Sequence, residues 1–522
     1  MTAPARRRRP DDAAAAAAAS SSSVDGRRSR LLGFVWLAVA AAVGLVLAVL
    51  YPDSSQQDGG NHFLIARWAW KHPALFVDVW GRPLFTFLYA LPAQLGYLPA
   101  KLATVAVTVA AAWQTWRLAE DEGFERAWLV VPLTFLQPAV LALYTETMTE
   151  PLLALVFIVA LRLHRRGRVR AGMAVASLMP LARPEGFFLC LLWGVWVLLD
   201  RRDGRAPWRR ALSTPWLAAG SVAWWLAALA ITGDPLYIVH HWPPNWGPAS
   251  ANYGTGPWLA YWYQRSIIAG RLLYVPFLVG LAVLVARRRL GTVTSAFLLL
   301  FVLHSVFWRY GLFSAAGYPR YFVCVAPATA LITLAGWNAV ARLLAERRVP
   351  PPVLRAASAV VLAVSALSAL GYVDSLPWAR DAWGIASTYE RGASSVRQRP
   401  VRQFVWSQTY MCILVDCDPD ATLRMTDDRA RNLELLRAAP AGTLVFWESE
   451  TGPQWYKLQE PDIAAVGYEV LRSDHYSLVG RVPLPFWRPV AGPRAQTISL
   501  LYKRAAPPES STTSLGGASR RE

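Results

Sequence analysis

The sequence predicts a mainly α, polytopic membrane helix bundle of about eleven spans, followed by a small extracytoplasmic α/β domain. Hydrophobic residues make up 54% of the 522 residues and charged residues only 17%, whereas soluble domains average about 25% charged. The apolar residues form runs long enough to cross a bilayer, separated by basic loops. After residue 372 the pattern changes to short β-branched runs, which are typical of strands.

The same numbers exclude other classes of protein. Four Cys cannot form a disulfide framework in a chain of this length. The net charge is +19, but the basic residues lie between apolar runs, which disfavours a nucleic-acid binder and indicates a charged cytoplasmic membrane face.

Residues 1–30 are expected to be a disordered, basic cytoplasmic tail. They combine Arg6–Arg9 with Ala and Ser runs, a composition that cannot form a core. A twin-arginine targeting peptide is the alternative for this segment. The apolar run 31–50 is too long for a cleaved signal, so we interpret it as the first span of a transmembrane domain over 31–372.

Basic loops predict the orientation of this domain. Loops rich in Arg, such as 162–170 and 201–210, alternate with loops that carry few basic residues. The positive-inside rule therefore places the N-terminus in the cytoplasm of a multi-pass plasma-membrane protein. A shorter apolar stretch, 83–96, is expected to lie along the outer interface. The eleven predicted spans are 31–50, 99–118, 127–144, 150–164, 171–183, 186–200, 213–232, 268–286, 292–309, 321–340 and 353–372.

An odd number of spans puts residues 373–507 outside, as a small α/β domain, before a disordered tail over 508–522. The runs 442–449, 468–473 and 496–504 are predicted strands, and 432–440 is a predicted helix. Cys412 and Cys417 in this domain are equally compatible with a disulfide and with two free thiols.

Ionisable residues collect at the outer ends of the predicted spans, whereas the middles of the spans are nearly free of charge. Polar groups are costly near a bilayer, so this grouping indicates a functional site at the outer interface. For any single residue, a solvated loop charge or a structural ion pair is the more common explanation. The candidates are Asp58, His62, Arg67, Arg82, Glu150, Arg183, Glu185, His240, His241, Trp242 and Arg320.

Asp58 precedes the run HFLIARWAW, which has helical spacing and an apolar face. An acid at a helix N-terminus is stabilised as an anion by the helix dipole and by free N–H groups. We therefore expect an ionised carboxylate that can accept a proton. The alternative is that Asp58 is only a helix cap.

Several segments in this order resemble the GT-C superfamily of integral-membrane glycosyltransferases. Asp58, Ile65–Arg67 and Pro83–Leu84 are similar to the early catalytic Asp, the following helix and the later Pro-Leu of the protein O-mannosyltransferase and lipid A aminoarabinose transferase group, glycosyltransferase family 39. LARPEG at 181–186 and GYPRYFVCVAPATALI at 317–332 resemble two later segments of such enzymes. The chain departs from the pattern with Gly59 and Pro319, where the family often has Glu, and with His62, where Tyr is usual.

This resemblance implies a GT-C-like bundle that uses a lipid-phosphate-linked sugar on the extracytoplasmic side. We expect a mannose-like sugar to move from a polyprenyl-phosphate donor to an acceptor hydroxyl on a glycan, lipid or protein, with inversion. Asp58 is the expected base. Arg320 is the first candidate for binding the leaving phosphate and Arg183 the second, because a guanidinium can bind two phosphate oxygens. Interface snorkelling of Arg320 and a pair between Arg183 and Glu185 are the structural alternatives.

Two further points stay open from the sequence. The segment 231–264, with four Trp, is either a lid over sugars or an interfacial aromatic belt. Asp58 and His62 are one helical turn apart and could share a metal with His240 and His241. Ligand spacing of a standard metal site is missing, however, and the resemblance implies metal independence, so we expect no metal cofactor.

The competing functions are a secondary transporter and a non-catalytic envelope assembly protein. Transporters place ionisable groups near the bilayer midplane, which this sequence does not. If the protein were a non-catalytic assembly protein, the order of these motifs would be a coincidence. Within catalysis, transfer of a whole glycan is a further alternative.

Overall fold

The computed structural model describes residues 10–53, 55–200, 206–243, 246–247, 253–376, 378–478 and 494–504. The chain forms two compact units, with the boundary between them at Ala379 and Arg380. The first unit is helical. Its α-helices are α1 Pro10–Leu50, α2 Gln57–Trp68, α3 Pro83–Gln94, α4 Tyr97–Asp121, α5 Val130–Phe135, α6 Pro138–Leu143, α7 Glu150–Arg165, α8 Val169–Ala176, α9 Met179–Ala182, α10 Glu185–Leu199, α11 Pro207–Ala211, α12 Ala219–Thr232, α13 Tyr237–His240, α14 Ala260–Tyr263, α15 Arg265–Ile268, α16 Tyr274–Ala286, α17 Gly291–Tyr310, α18 Ala326–Glu346 and α19 Pro351–Ser375.

The protein is a multi-pass membrane protein, but the predicted count of about eleven spans is not confirmed. In the described part of the chain, five helical segments are long and apolar enough to cross a bilayer: Arg27–Leu50, Trp208–Thr232, Gly291–Tyr310, Pro319–Glu346 and Pro351–Val373. Three shorter apolar helical segments accompany them, at Val169–Ala182, Glu185–Leu199 and Tyr274–Ala286.

Two predicted spans are interrupted. The segment 127–144 is divided into a 3₁₀ turn and the short helices α5 and α6, and 171–183 into α8 and α9. Pro138 begins α6 and Pro180 lies in the first turn of α9. A proline has no N–H to donate and disfavours a helical residue before it, so each break has a local cause.

The N-terminal helix begins earlier than expected. We predicted disorder over residues 1–30, whereas α1 begins at Pro10 and continues to Leu50. Alanine has the highest intrinsic helix propensity of any residue type, so the Ala run favours a helix although it cannot form a core. Residues 1–9 lie outside the described part.

Helix packing brings the last spans very close together. A Cβ atom built on Gly280 of α16 would lie 1.8 Å from the carbonyl oxygen of Ile332 on α18, and one on Gly336 would lie 1.8 Å from that of Pro276. Only glycine permits this backbone approach. This contact holds α16 against the middle of α18, a helix that follows the 3₁₀ segment Pro319–Val325.

The stretch 83–96, predicted to lie along the outer interface, contains helix α3. Its exposed side chains include Phe87, Leu91 and, just after the helix, Leu95. Such an apolar outer face suits the position along the interface that the sequence predicted.

The second unit is a small α/β fold with the helices α20 Trp378–Arg397, α21 Thr409–Leu414, α22 Arg429–Ala438, α23 Thr451–Trp455 and α24 Glu460–Ala464. Its strands are β1 Gln403–Trp406, β2 Thr443–Glu448, β3 Tyr468–Leu478 and β4 Arg494–Lys503, in the order β1-β2-β4-β3. The β1–β2 pair is parallel and the other two pairs are antiparallel.

The three predicted strands and the predicted helix correspond to β2, β3, β4 and α22, whereas the four-residue strand β1 was missed. Val405, Leu436, Val445 and Leu501 are buried together as part of its core. Cys412 and Cys417 form a disulfide. The predicted tail 508–522 lies outside the described residues.

Candidate active site

A cavity of about 320 Å³ opens among α2, α10, α17 and the segment that leads into α18. Its size is that of a small-ligand site. Seven of the residues predicted for the site line it: Asp58, His62, Arg82, Arg183, Glu185, Trp242 and Arg320. Aromatic side chains complete much of the wall, among them Trp80, Trp246, Tyr253, Phe307, Tyr318 and Tyr321.

Asp58 lies in the first turn of α2, as the sequence predicted, but it does not cap the helix. The N-cap is Gln56, whose side-chain oxygen accepts the N–H of Gly59 at 3.0 Å. The Asp58 carboxylate instead accepts a hydrogen bond from Nη2 of Arg320 at 2.6 Å. Burial raises the pKa of Asp58, but the Arg320 guanidinium outweighs that effect, and the pKa lies below its usual value.

A chain of ion pairs continues from Asp58 across the cavity wall. Nε of Arg320 lies 3.7 Å from Oε1 of Glu150, and the same oxygen lies 2.9 Å from Nη1 of Arg183. Arg183 then pairs with Glu185 at 2.9 Å. Glu150 is fully buried at the start of α7, behind the cavity rather than on its surface. Each carboxylate of the chain therefore faces a guanidinium, which compensates the cost of burying the charges.

Arg183 has few hydrogen-bond donors left for a ligand. Its Nε and Nη2 donate to the two oxygens of Glu185 at 3.0 and 2.9 Å, and Nη1 donates to Thr149 Oγ1 at 3.1 Å beside Glu150. The structural alternative for this residue, a pair with Glu185, is what the structure shows. Its expected role as the second phosphate ligand is therefore weakened.

Arg82 is the cationic group of the cavity that lacks a carboxylate partner among the described residues. Its Nη1 donates to the carbonyl of Val79 at 3.0 Å, its Nε has no hydrogen-bond partner, and its guanidinium lies 4.0 Å from the ring centroid of Trp246. Burial and the neighbouring Arg183 lower the pKa of Arg82 to about 9. At neutral pH it remains a buried cation that forms no direct ion pair with the nearby carboxylates, an arrangement suited to an anionic ligand.

His62 lies one turn after Asp58 and stacks on Trp80, with ring centroids 4.6 Å apart. Burial and the charge of Arg82 hold the pKa of His62 well below 6.5. The ring is therefore neutral at physiological pH, and it can exchange hydrogen bonds without adding charge to the cavity.

Three predicted site residues lie elsewhere. Arg67 donates to the side chain and the carbonyl of Gln94. His240 pairs with Asp234 through Nδ1 at 2.8 Å and is largely exposed, and Nδ1 of His241 lies 3.0 Å from the carbonyl oxygen of Tyr237. None of the three lines the cavity. Charged side chains at the outer ends of the spans can pair with partners close in sequence. The sequence pattern cannot distinguish such paired side chains from those that face a ligand.

Other lining residues were not predicted from the sequence, and His304 is the most informative of them. It lies inside the apolar helix α17 and only 4% of it is exposed. A lone ionisable residue within a predicted span was the available signal for it. The missed Trp and Tyr residues carried no such signal, because aromatic residues are common throughout the chain.

Comparison with known proteins gives a similarity of fold. No family model and no curated protein matches the sequence. Among solved structures, the crystal structure of ArnT from Cupriavidus metallidurans bound to undecaprenyl phosphate matches 89% of this chain and 98% of its own, with a TM-score of 0.55 and 15% sequence identity. The chain is therefore similar in fold to ArnT, one of the proteins in the group that the motifs resemble.

Proposed function

We propose that the protein is a membrane glycosyltransferase that moves a mannose-like sugar from a polyprenyl-phosphate donor to an acceptor hydroxyl. The observation that carries the proposal is the hydrogen-bonded pair of Asp58 and Arg320 in a cavity with aromatic walls. It places a proton acceptor beside a cation, as transfer from a phosphate leaving group requires. The ArnT structure, bound to undecaprenyl phosphate, supports the donor class through its fold.

The donor phosphate is assigned to Arg320 and Arg82. Arg320 uses Nη2 on Asp58 and faces Glu150 with Nε, which leaves Nη1 for a phosphate oxygen. Arg82 is buried with donors to spare and no carboxylate partner in the described part of the chain. Arg183, with its donors on Glu185 and Thr149, holds Glu150 and Glu185 in position instead.

The reaction is a single displacement at the anomeric carbon. Asp58 takes the proton of the acceptor hydroxyl while the acceptor oxygen forms its bond to that carbon. The bond from the carbon to the phosphate oxygen breaks, and the phosphate leaves with the electron pair, stabilised by the two guanidinium groups. One displacement inverts the anomeric configuration, and a phosphate leaving group needs no second carboxylic acid.

The proposal requires no metal ion. Asp58, Glu150 and Glu185 each face an arginine, so a divalent cation would have to displace a guanidinium in order to bind. The positive charge needed by the leaving phosphate is already supplied by Arg82 and Arg320.

We place the reaction on the extracytoplasmic side of the plasma membrane. The basic loops support a cytoplasmic N-terminus. The Cys412–Cys417 disulfide supports an oxidising compartment for the second unit. The acceptor is a glycan, lipid or protein hydroxyl, and Trp242 and Trp246 at the cavity offer aromatic faces for stacking on sugars.

Transfer from decaprenyl-phosphate mannose by the protein in lipid vesicles tests the proposal. Asp58→Asn should lower the turnover rate by about 10²- to 10⁴-fold, the usual contribution of a general base. Asp234→Asn, which removes an acid paired with His240 outside the cavity, is the matched control and should retain turnover. Turnover by Asp58→Asn at the wild-type rate would contradict the assignment of the base.

A further inference from the structure

One polar pair of the cavity, His304 and Glu185, takes no part in the proposed displacement. His304 lies on α17 and Glu185 at the start of α10. Nε2 of His304 lies 3.8 Å from Oε1 of Glu185, and neither ring nitrogen has a hydrogen-bond partner among the described residues. The imidazole is 96% buried, since its relative exposure is 4%. An unsatisfied buried donor or acceptor is costly, so a ligand that satisfies it binds selectively.

The orientation of this imidazole is set by its neighbours. It stacks on Tyr321, with ring centroids 4.5 Å apart and planes 15° apart. Tyr321 directly follows Arg320, the proposed phosphate ligand, so the imidazole lies next to the segment where the reaction takes place. Stacking leaves the edge of the ring, which carries the two nitrogens, for polar contacts.

Glu185 keeps acceptor capacity in spite of its pair with Arg183. Each of its oxygens accepts one hydrogen bond from that arginine, and a carboxylate oxygen has a second lone pair. Phe187 and Phe307 line the same cavity and offer apolar surface beside the polar pair. A carboxylate and an imidazole side by side, flanked by apolar rings, match the face and the neighbouring hydroxyls of a pyranose.

We propose that His304 and Glu185 bind two adjacent hydroxyls of the sugar carried by the donor, and that His304 determines which sugar is transferred. This inference rests on the proposed function and extends it from the phosphate to the sugar. A sugar that lacks one of these hydroxyls leaves the imidazole or the carboxylate unsatisfied, so it is transferred more slowly. A site built to bind a hydroxyl discriminates strongly against analogues without it.

The experiment compares decaprenyl-phosphate mannose with its 2-, 3-, 4- and 6-deoxy analogues as donors. Wild-type protein should lose about tenfold to a hundredfold in kcat/KM for at least one deoxy donor. His304→Phe keeps the stacking on Tyr321 but has no ring nitrogen. It should lose a similar factor with the parent donor and little with that deoxy donor, so the discrimination disappears.

Binding of undecaprenyl phosphate, which carries no sugar, distinguishes a loss of sugar recognition from misfolding of the variant. His304→Phe should bind this lipid as the wild-type protein does. If that variant does not fold, His304→Gln replaces it and should change the ranking of the deoxy donors. An equal loss with every donor, or unchanged discrimination in the folded variant, overturns the inference. Absence of transfer by wild-type protein from all the mannose donors, and from glucose and galactose counterparts, refutes the proposed function itself.

Discussion

Asparagine in place of Asp58 should tighten the binding of an anionic lipid while it slows turnover. In the free protein the Asp58 carboxylate holds Nη2 of Arg320 at 2.6 Å. A donor phosphate that needs the same guanidinium must compete with that carboxylate. Asp58→Asn removes the negative charge but keeps the size of the side chain, so Arg320 becomes free for the phosphate.

The magnitude follows from the geometry of this pair. A hydrogen bond between charged groups contributes about 1.5–3 kcal/mol. The Asp58 side chain is 39% exposed and that of Arg320 15%, so solvent screening reduces the value to about 1–2 kcal/mol. The dissociation constant for undecaprenyl phosphate should therefore fall by about five- to thirtyfold. On donor binding the same competition would release Asp58 from Arg320 and raise its basicity, which links activation of the base to the arrival of the donor.

Titration of protein in nanodiscs with undecaprenyl phosphate, followed by tryptophan fluorescence, measures this affinity without turnover. Trp80, Trp242 and Trp246 line the cavity and provide the signal. Asp234→Asn removes one negative charge away from Arg320 and should leave the affinity unchanged. Equal or weaker binding by Asp58→Asn would refute the competition.

Three further predictions concern pH, the disulfide and helix packing. Because the pKa of His62 in the folded protein lies well below 6.5, only the unfolded chain binds a proton at this ring as the pH falls through 6.5, and the free energy of unfolding should therefore decrease in that pH range. In melting experiments at different pH, His62→Phe should remove this decrease, and it should leave the shape of the pH–rate profile unchanged. Replacing both Cys412 and Cys417 by Ser should cost about 2 kcal/mol of unfolding free energy in denaturant titration, and an unchanged midpoint would contradict it. Gly336→Val should cost about 1–3 kcal/mol by crowding the facing helix, whereas Gly291→Ala, with open space around it, should melt like the wild-type protein.

Local patterns predicted the parts of the site that depend on neighbours in sequence. The position of Asp58 in the first turn of α2 follows from a polar segment that runs into helical spacing. The breaks in the predicted span 127–144 were harder to predict, because its residues are apolar throughout and a buried broken helix has the same composition as a continuous one. Its side chains are almost entirely buried in protein, where irregular backbone is tolerated at membrane depth.

The sequence by itself determined that the chain is a membrane protein with polar groups at one end of its spans, because the cost of placing charge in a bilayer restricts where such residues can occur. Tertiary structure alone decided which of these charges meet. Asp58 and Arg320 are 262 positions apart and form a direct pair. Arg183 pairs with Glu185, whereas Arg82 forms no direct ion pair among the described residues and lies over the Trp246 ring. Pairing energies depend on distances of a few ångströms, and only the packed helices define those distances.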